Sequence, residues 1–120
     1  MIDLERVCDL YTELGAADFA PMMEFFLDEI EATLMRFGPQ NAKRLELDLH
    51  ALRGAALNLG FARFADICLT NERFISQDLA SKVDLDQVSV CYTASKAEFT
   101  RLWPNMVKEY DPGASVLTRR

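Results

Sequence analysis

The sequence predicts an all-α protein, built as an up-down-up-down antiparallel four-helix bundle with a short extra helix at the N-terminus. Apolar residues recur at steps of three and four along most of the chain, which is the spacing of one face of an α-helix. Glycines, prolines and capping residues divide the chain into five such segments with short connections, as in antiparallel bundles. No stretch shows the period of two that is typical of β-strands.

The size of the chain predicts one domain. Its 120 residues, half of them hydrophobic, can build one core but leave no room for a separate kinase module. We expect residues 1–113 to form this domain and residues 114–120 to be a flexible tail. The net charge of -6 argues against nucleic acid or an anionic membrane as the main partner.

The sequence also bears on the cellular compartment and on metal binding. No apolar run approaches the roughly 20 residues that span a bilayer, and the N-terminus lacks the regions of a signal peptide, so we expect a cytoplasmic protein. Cys8, Cys68 and Cys91 are widely spaced and odd in number, which favours reduced thiols over disulfides. With a single histidine and no ligand spacing, we expect no metal site.

The first two helices are predicted from their caps. Residues 3–14 form the first helix, with Asp3 as its N-cap and Gly15 at its end. Asp18 is expected to cap the second helix, which runs to about residue 37 before a Gly-Pro stop. Pro21 then falls in the first turn, where proline is tolerated.

The second helix carries apolar side chains on two sides. The residues predicted to face the core are Phe19, Met23, Phe26, Ile30 and Phe37. At about 100° per residue, Phe25 and Met35 lie about 140° from the mean direction of that face, and Met22 lies at its boundary. We therefore expect Phe25 to be exposed. The alternative is that the helix phase is wrong by one residue and that Phe25 belongs to the core.

The third helix contains the only histidine of the chain, His50. Asn41 is expected to cap this helix and Gly60 to end it. Its predicted core residues, at steps of four, three, four and three, are Leu45, Leu49, Leu52, Ala56 and Leu59. His50 lies about 140° from the mean direction of these five residues, so we expect the imidazole to face solvent.

Two neighbours of His50 give it a specific chemical setting. Arg53 and Gly54 lie one turn further on the same side of the helix. Glycine in mid-helix costs about 1 kcal/mol relative to alanine, so we expect the missing side chain to give another macromolecule access to the ring. Arg53 adds a positive charge suited to phosphate or carboxylate oxygens. The three residues predict a histidine that is accessible to a large anionic partner site.

The last two helices follow from the same rules. The apolar stripe of the fourth helix is predicted to be Phe61, Phe64, Ala65, Cys68, Ile75 and Leu79. After a loop at residues 81–83, Asp84 and Gln87 resemble a capping box for the fifth helix. The core positions of the fifth helix are predicted to be Val88, Tyr92, Ser95, Phe99, Leu102 and Met106. Pro104 is expected to kink this helix, and residues 111–113 to end it.

The stretch His50-Ala51-Leu52-Arg53-Gly54, followed by Asn58-Leu59-Gly60, resembles the signature of histidine phosphotransfer domains, His-x-Leu-Lys/Arg-Gly with a second glycine six residues later. The similarity covers residues 18–75, including the next helix as far as Glu72, although lysine is the most frequent residue at the Arg53 position. This resemblance implies the same bundle and a monomeric phosphocarrier rather than an enzyme. His50 would accept a phosphoryl group from a receiver aspartate or a kinase and pass it to another receiver. The implied partners are response-regulator receiver domains and a hybrid sensor histidine kinase. No cofactor is implied for this chain, and Mg²⁺ would sit in the receiver.

Further residues are candidates for partner binding. Leu57 points within about 20° of His50, and Asn58 follows it two turns beyond the ring. Glu46, one turn before His50, could touch the ring, or be a solvated helix residue; Asn58 could equally be a helix-end residue without such a role. We infer an apolar docking patch for receivers from Phe25 and Leu57, with Met22 at its edge.

Other functions fit the sequence less well. A bundle of this kind could bind receivers or kinases as an adaptor that no longer transfers phosphate, but the intact motif speaks against that. A hydrolase that uses His50 as general base needs a nucleophile, an oxyanion site and a pocket, which the sequence does not indicate. The phosphorylated domain of a larger chemotaxis-type kinase is less favoured, because the chain has its own predicted tail.

Overall fold

A computed structural model describes residues 2–38 and 41–110, with side chains described as far as residue 105. The helices are α1 (Leu4–Leu14), α2 (Ala16–Met35), α3 (Ala42–Leu59), α4 (Ala62–Ser76) and α5 (Leu85–Tyr110), with a 3₁₀ turn at Ala80–Lys82. The described residues contain no β-strand, so the predicted all-α fold is confirmed. The break expected at residues 111–113 and the tail expected at residues 114–120 lie outside the described residues. None of the described helices is long and apolar enough to cross a membrane.

Three of the predicted N-caps are present. A side-chain oxygen accepts a hydrogen bond from the backbone amide three residues later, at the start of α1, α3 and α5. The pairs are Asp3 and Arg6 at 3.1 Å, Asn41 and Arg44 at 3.1 Å, and Asp84 and Gln87 at 2.9 Å. Each bond satisfies an amide that has no partner within its helix, which explains why these helices start where they do.

The predicted cap of α2 is wrong. Gly15, with φ 85° and ψ 163°, both ends α1 and begins α2. Its N–H donates to the Tyr11 carbonyl at 2.9 Å, and its own carbonyl accepts from the Phe19 amide at 3.1 Å. Glycine tolerates this positive φ, so one residue can join the two helices. Asp18 is therefore exposed within the first turn, and Pro21 lies in the second turn.

The core is formed by apolar side chains from all five helices, and all five core residues predicted for α3 are buried. The predictions for the other helices hold in part. Phe26, Phe37, Ile75 and Leu102 are only half-buried. Leu79 lies beyond the end of α4 and is exposed, because the chain has already left the helix. The side chain of Met106 lies outside the described residues.

The three cysteines are free thiols, as predicted. Cys68 and Cys91 are buried and Cys8 is half-buried. Burial raises the pKa of the Cys68 thiol to about 12, so this group stays protonated as a small apolar core residue.

Helix α3 is packed on several sides. It lies closest to α4, and it also contacts α2 and α1. Its C-terminal end is joined to α1, because the Asp3 amide donates to the Gly60 carbonyl at 2.6 Å and the Arg6 Nε donates to the Asn58 carbonyl at 3.2 Å. Gly60 adopts the left-handed conformation predicted for the end of this helix, with φ 78°. The remaining face of α3 is open to solvent.

Helices α2 and α5 are joined mainly through side chains, and their backbones stay further apart than those of α3 and α4. The Tyr92 hydroxyl and the Lys96 Nζ both donate to the Glu31 carboxylate, each at 2.6 Å. Both hydrogen bonds lower the pKa of Glu31 below its ordinary range, and the bond from Lys96 has the larger effect. The space between α2 and α5 on either side of this cluster is open as a groove.

Candidate functional site

His50 lies near the middle of α3, and 63% of its side chain is exposed, as predicted. The position follows from the burial of Leu49 and Leu52, because a helix that turns those two side chains inward must turn His50 outward. The ring is therefore attached to a helix packed into the core, while the ring itself is accessible to a partner.

A carboxylate from the next helix holds one side of the imidazole. Glu72 in α4 lies with its Oε1 2.8 Å from the His50 Nδ1. Arg53 approaches both groups, with its Nη2 3.0 Å from Nδ1 and its Nε 3.2 Å from the Glu72 Oε2. Only 28% of the Arg53 side chain and 17% of the Glu72 side chain are exposed, so these two charges are largely shielded from solvent.

The Glu72 contact selects one tautomer of the neutral ring. A carboxylate can only accept, so the short contact requires a proton on Nδ1. Arg53 also places an N–H donor near Nδ1, but a protonated Nδ1 cannot accept a hydrogen bond from it. We assign the proton to Nδ1 because the charge-assisted bond to Glu72 is the shorter of the two. The lone pair then lies on Nε2, which has no hydrogen-bond partner among the described residues.

Arg53 is held on the Nδ1 side of the ring in this structure. Its Nε and the Glu72 Oε2 are buried, and at 3.2 Å they form an ion pair, yet neither atom makes an aligned hydrogen bond with any described residue. Glu72 thus balances the charge of the Arg53 guanidinium, but it does not accept an aligned hydrogen bond from the Arg53 Nε. The expected role of Arg53 at phosphoryl oxygens stays a prediction, and it requires the guanidinium to turn from Nδ1 towards a group on Nε2.

Gly54 is exposed one turn beyond His50. A Cβ built at this position would meet no heavy atom within 4 Å. Nothing in the described chain therefore requires a glycine here, although glycine weakens the helix. The open space supports the interpretation that the missing side chain leaves room for another molecule.

Of the two alternatives for Glu46, contact with the ring is not what the structure shows. The Glu46 side chain lies 3.4 Å from the Lys43 Nζ, and Glu72 occupies the carboxylate position at the ring instead. Sequence reasoning named Glu72 only as part of the family similarity and missed this contact. One signal was available, because Glu72 lies one turn after the buried Cys68 on the same side of α4 and a half-buried carboxylate needs a partner.

The candidate docking residues are exposed to different degrees. Phe25 and Leu57 are exposed by 56% and 54%, so the alternative that Phe25 belongs to the core is wrong. Met22 is half-buried. Phe25 and Asn58 line the same groove of about 250 Å³ between α2 and α3, whereas Leu57 and Met22 do not line it.

One further apolar residue near the ring was not predicted. Leu47 is 56% exposed and lies one turn before His50. At 100° per residue its direction is about 60° from that of the ring, which the sequence could have shown. Leu47 and Leu57 therefore place apolar surface before and after His50 along the helix.

The described residues hold no cluster of three or more His, Cys, Asp or Glu side chains arranged to bind a metal ion. Comparison of the chain with protein-family models, with curated proteins and with solved structures finds no match. The site therefore has to be interpreted from its own geometry.

Proposed function

We propose that this protein is a histidine phosphotransfer protein, in which His50 carries a phosphoryl group between receiver domains. The observation that carries the proposal is the geometry of the ring: its Nδ1 lies 2.8 Å from the Glu72 carboxylate, while 63% of the side chain is exposed and Nε2 has no partner among the described residues. The proposal includes an up-down-up-down bundle of α2 to α5 with α1 at one end, and a monomer that works in the cytoplasm.

The proposed step is an in-line transfer to Nε2. The Nε2 lone pair attacks the phosphorus of an aspartyl phosphate, the bond from phosphorus to the aspartate oxygen breaks, and its electron pair leaves on the receiver carboxylate. The proton stays on Nδ1, so the phosphorylated ring gains positive charge. Glu72 stabilises that charge at 2.8 Å, and the reverse step delivers the phosphoryl group to a second receiver. Mg²⁺ belongs to the acidic site of the receiver, as the family resemblance implies.

The residues around His50 would serve access and docking. Gly54 leaves room for the receiver backbone next to the ring, and Arg53 turns towards the phosphoryl oxygens during transfer. Apolar side chains at Phe25, Leu47 and Leu57 offer burial without strict direction, so more than one receiver can bind. The same surface would meet the receiver domain of a hybrid sensor histidine kinase.

The proposal is tested by incubating the protein with phosphorylated receiver domains and measuring label on this chain. We expect acid-labile, base-stable label on the parent protein and none on His50→Gln. Acid-stable label that persists on His50→Gln would overturn the proposal. A receiver that binds without labelling the chain would favour the non-transferring adaptor instead.

A matched pair of variants tests the role of Glu72. Glu72→Gln keeps the size of the side chain but removes the charge that faces Nδ1, so transfer should slow. Glu5→Gln makes the same chemical change at an exposed residue of α1, outside the His50 site, and should transfer at the parent rate. Equal rates for both variants would show that the Glu72 contact does not matter for transfer.

A further inference from the structure

Positive charge in this acidic chain is concentrated around the histidine helix. Residues 36–63 carry five arginines or lysines and two carboxylates, although the whole chain has a net charge of -6. Residues 1–35, by contrast, carry nine carboxylates and one arginine. The charge of the segment that contains His50 is therefore opposite in sign to that of the segment before it.

Three of these cations meet where α2 ends and α3 begins. Arg36, Lys43 and Arg44 form this basic cluster, and at least half of each side chain is exposed. Arg36 and Arg44 both pair with the Oδ1 of Asp48, at 3.3 and 3.6 Å, and Lys43 lies 3.4 Å from Glu46. Asp48 is buried, so one carboxylate of the interior holds guanidinium groups from two helices. The cluster is thus fixed in place, and it keeps one positive charge more than its carboxylates balance.

The basic cluster lies on the same side of α3 as the imidazole. Lys43 comes seven residues before His50, and Leu57 comes seven residues after it. Seven residues are two helical turns to within about 20°, so these three side chains form a line with steps of about 10 Å. Leu57 and the neighbouring Phe25 of α2 are exposed apolar residues. The ring therefore lies between a basic end and an apolar end of one surface.

A partner centred on His50 would cover both ends. A stable interface covers about 800 Å² on each protein, which corresponds to a disc of about 16 Å radius. Lys43 and Leu57, each about 10 Å from His50 along the helix, fall within that disc. Because the two ends differ in chemistry, a partner with acidic residues on one side of its centre and apolar residues on the other fits in one orientation.

We propose that the basic cluster selects and orients the receiver domain, by pairing with carboxylates on one side of the receiver's phosphorylation site. This inference rests on the proposed phosphotransfer and adds the chemistry and the orientation of the partner surface. Nucleic acid fits the same face less well. The exposed Glu29 lies two turns before Arg36 on the same side of α2 and would repel phosphates.

Association kinetics with a receiver domain test the role of the cluster. At 10 mM salt, Lys43→Gln and Arg44→Gln should each slow association about two-fold, the effect of one unit charge about 10 Å from another in water. Arg44→Gln leaves Arg36 paired with Asp48, and thermal unfolding checks that both variants stay folded. Arg101→Gln removes the same charge from an exposed residue of α5 and should associate at the parent rate.

Salt dependence gives a second readout of the same contact. The differences between these variants should vanish at 1 M salt, where charges are screened beyond about 3 Å. If Lys43→Gln and Arg44→Gln associate as fast as Arg101→Gln at 10 mM salt, the proposal is overturned.

Label on the chain, measured in the same mixtures, separates this inference from the proposed function. A receiver whose binding depends on the basic cluster but that leaves no label would overturn phosphotransfer and support the cluster. Label transfer from a receiver whose association is the same in all three variants would overturn the cluster alone. Failure of every receiver to bind would overturn both.

Charge reversal tests the orientation. Lys43→Glu should slow association about four-fold at 10 mM salt, since it changes two unit charges. Changing one surface Asp or Glu of the receiver to Lys should restore the parent rate in that background. If none of these receiver variants restores it, the proposed pairing is wrong. Binding of a DNA duplex that is lost in Lys43→Glu would assign the cluster to nucleic acid and overturn the proposal.

Discussion

Replacing Gly54 with alanine is expected to stabilise the protein. The added Cβ meets no heavy atom within 4 Å, so the change involves no clash and no lost contact within the described chain. The remaining term is the helix propensity, which favours alanine over glycine by about 1 kcal/mol in an exposed helix interior. For a domain of this size, that amount raises the melting temperature by about 4 °C.

The same substitution at Gly60 provides a matched control. Gly60 has φ 78°, and a Cβ there would lie 2.8 Å from the Asp3 carbonyl oxygen. Alanine pays about 1–2 kcal/mol for the left-handed conformation before any cost of that clash. Urea unfolding followed by circular dichroism should therefore give free energies of unfolding that rise for Gly54→Ala and fall for Gly60→Ala. A loss of stability in Gly54→Ala would refute the reasoning.

A longer side chain at the same position separates access from stability. Gly54→Gln should fold with a normal helix content, because the side chain extends into open space. It should nevertheless slow phosphotransfer strongly, since the side chain fills the approach to the ring. A folded Gly54→Gln variant that transfers at the parent rate would show that access does not explain the glycine.

Three further predictions concern other parts of the molecule. Phe25→Ser should weaken receiver binding with little change in melting temperature, because the side chain is 56% exposed, while Val90→Ser, at a 69% exposed apolar residue of α5, should leave binding unchanged. Arg53→Ala should slow transfer, and Arg53→Lys should do so much less; an equal loss in both variants would mean that the planar fork matters, not charge alone. Hydrogen bonding by Lys96 lowers the pKa of Glu31 below its ordinary value of 4.5, so this pair contributes stability above that pH and loses it as the pH falls through the folded pKa. Urea unfolding measured from pH 6 to about pH 3 should therefore show a steeper fall in the free energy of unfolding for the parent than for Lys96→Met. Parallel curves for the two proteins would contradict this prediction.

The local features of α3 could be predicted from the sequence because they depend on residues close together in the chain. Asn41, Gly60 and the buried leucines follow from capping chemistry and from the helical period alone. The exposure of His50 follows from the same period. These features need no knowledge of what packs against the helix.

The features that the sequence did not predict depend on tertiary structure or on an unusual backbone angle. The contact between His50 and Glu72 joins residues 22 positions apart, and it exists only because α3 and α4 lie side by side. The start of α2 was misplaced because Gly15 serves two helices at once, which composition does not reveal. The candidate docking residues Phe25 and Asn58 share a groove only because α2 and α3 pack together.

We expect the capped ends of α3 to limit how often the backbone around His50 opens. Helices open most readily at their ends, and both ends of α3 are held, by Asn41 at the start and by Asp3 and Arg6 near Gly60 at the finish. Amide protons in the middle of α3 should therefore exchange with deuterium only when the domain opens as a whole. The exposed His50 imidazole is then attached to one of the slowest-exchanging stretches of backbone. Little entropy would then be lost when a bound receiver fixes the orientation of the imidazole.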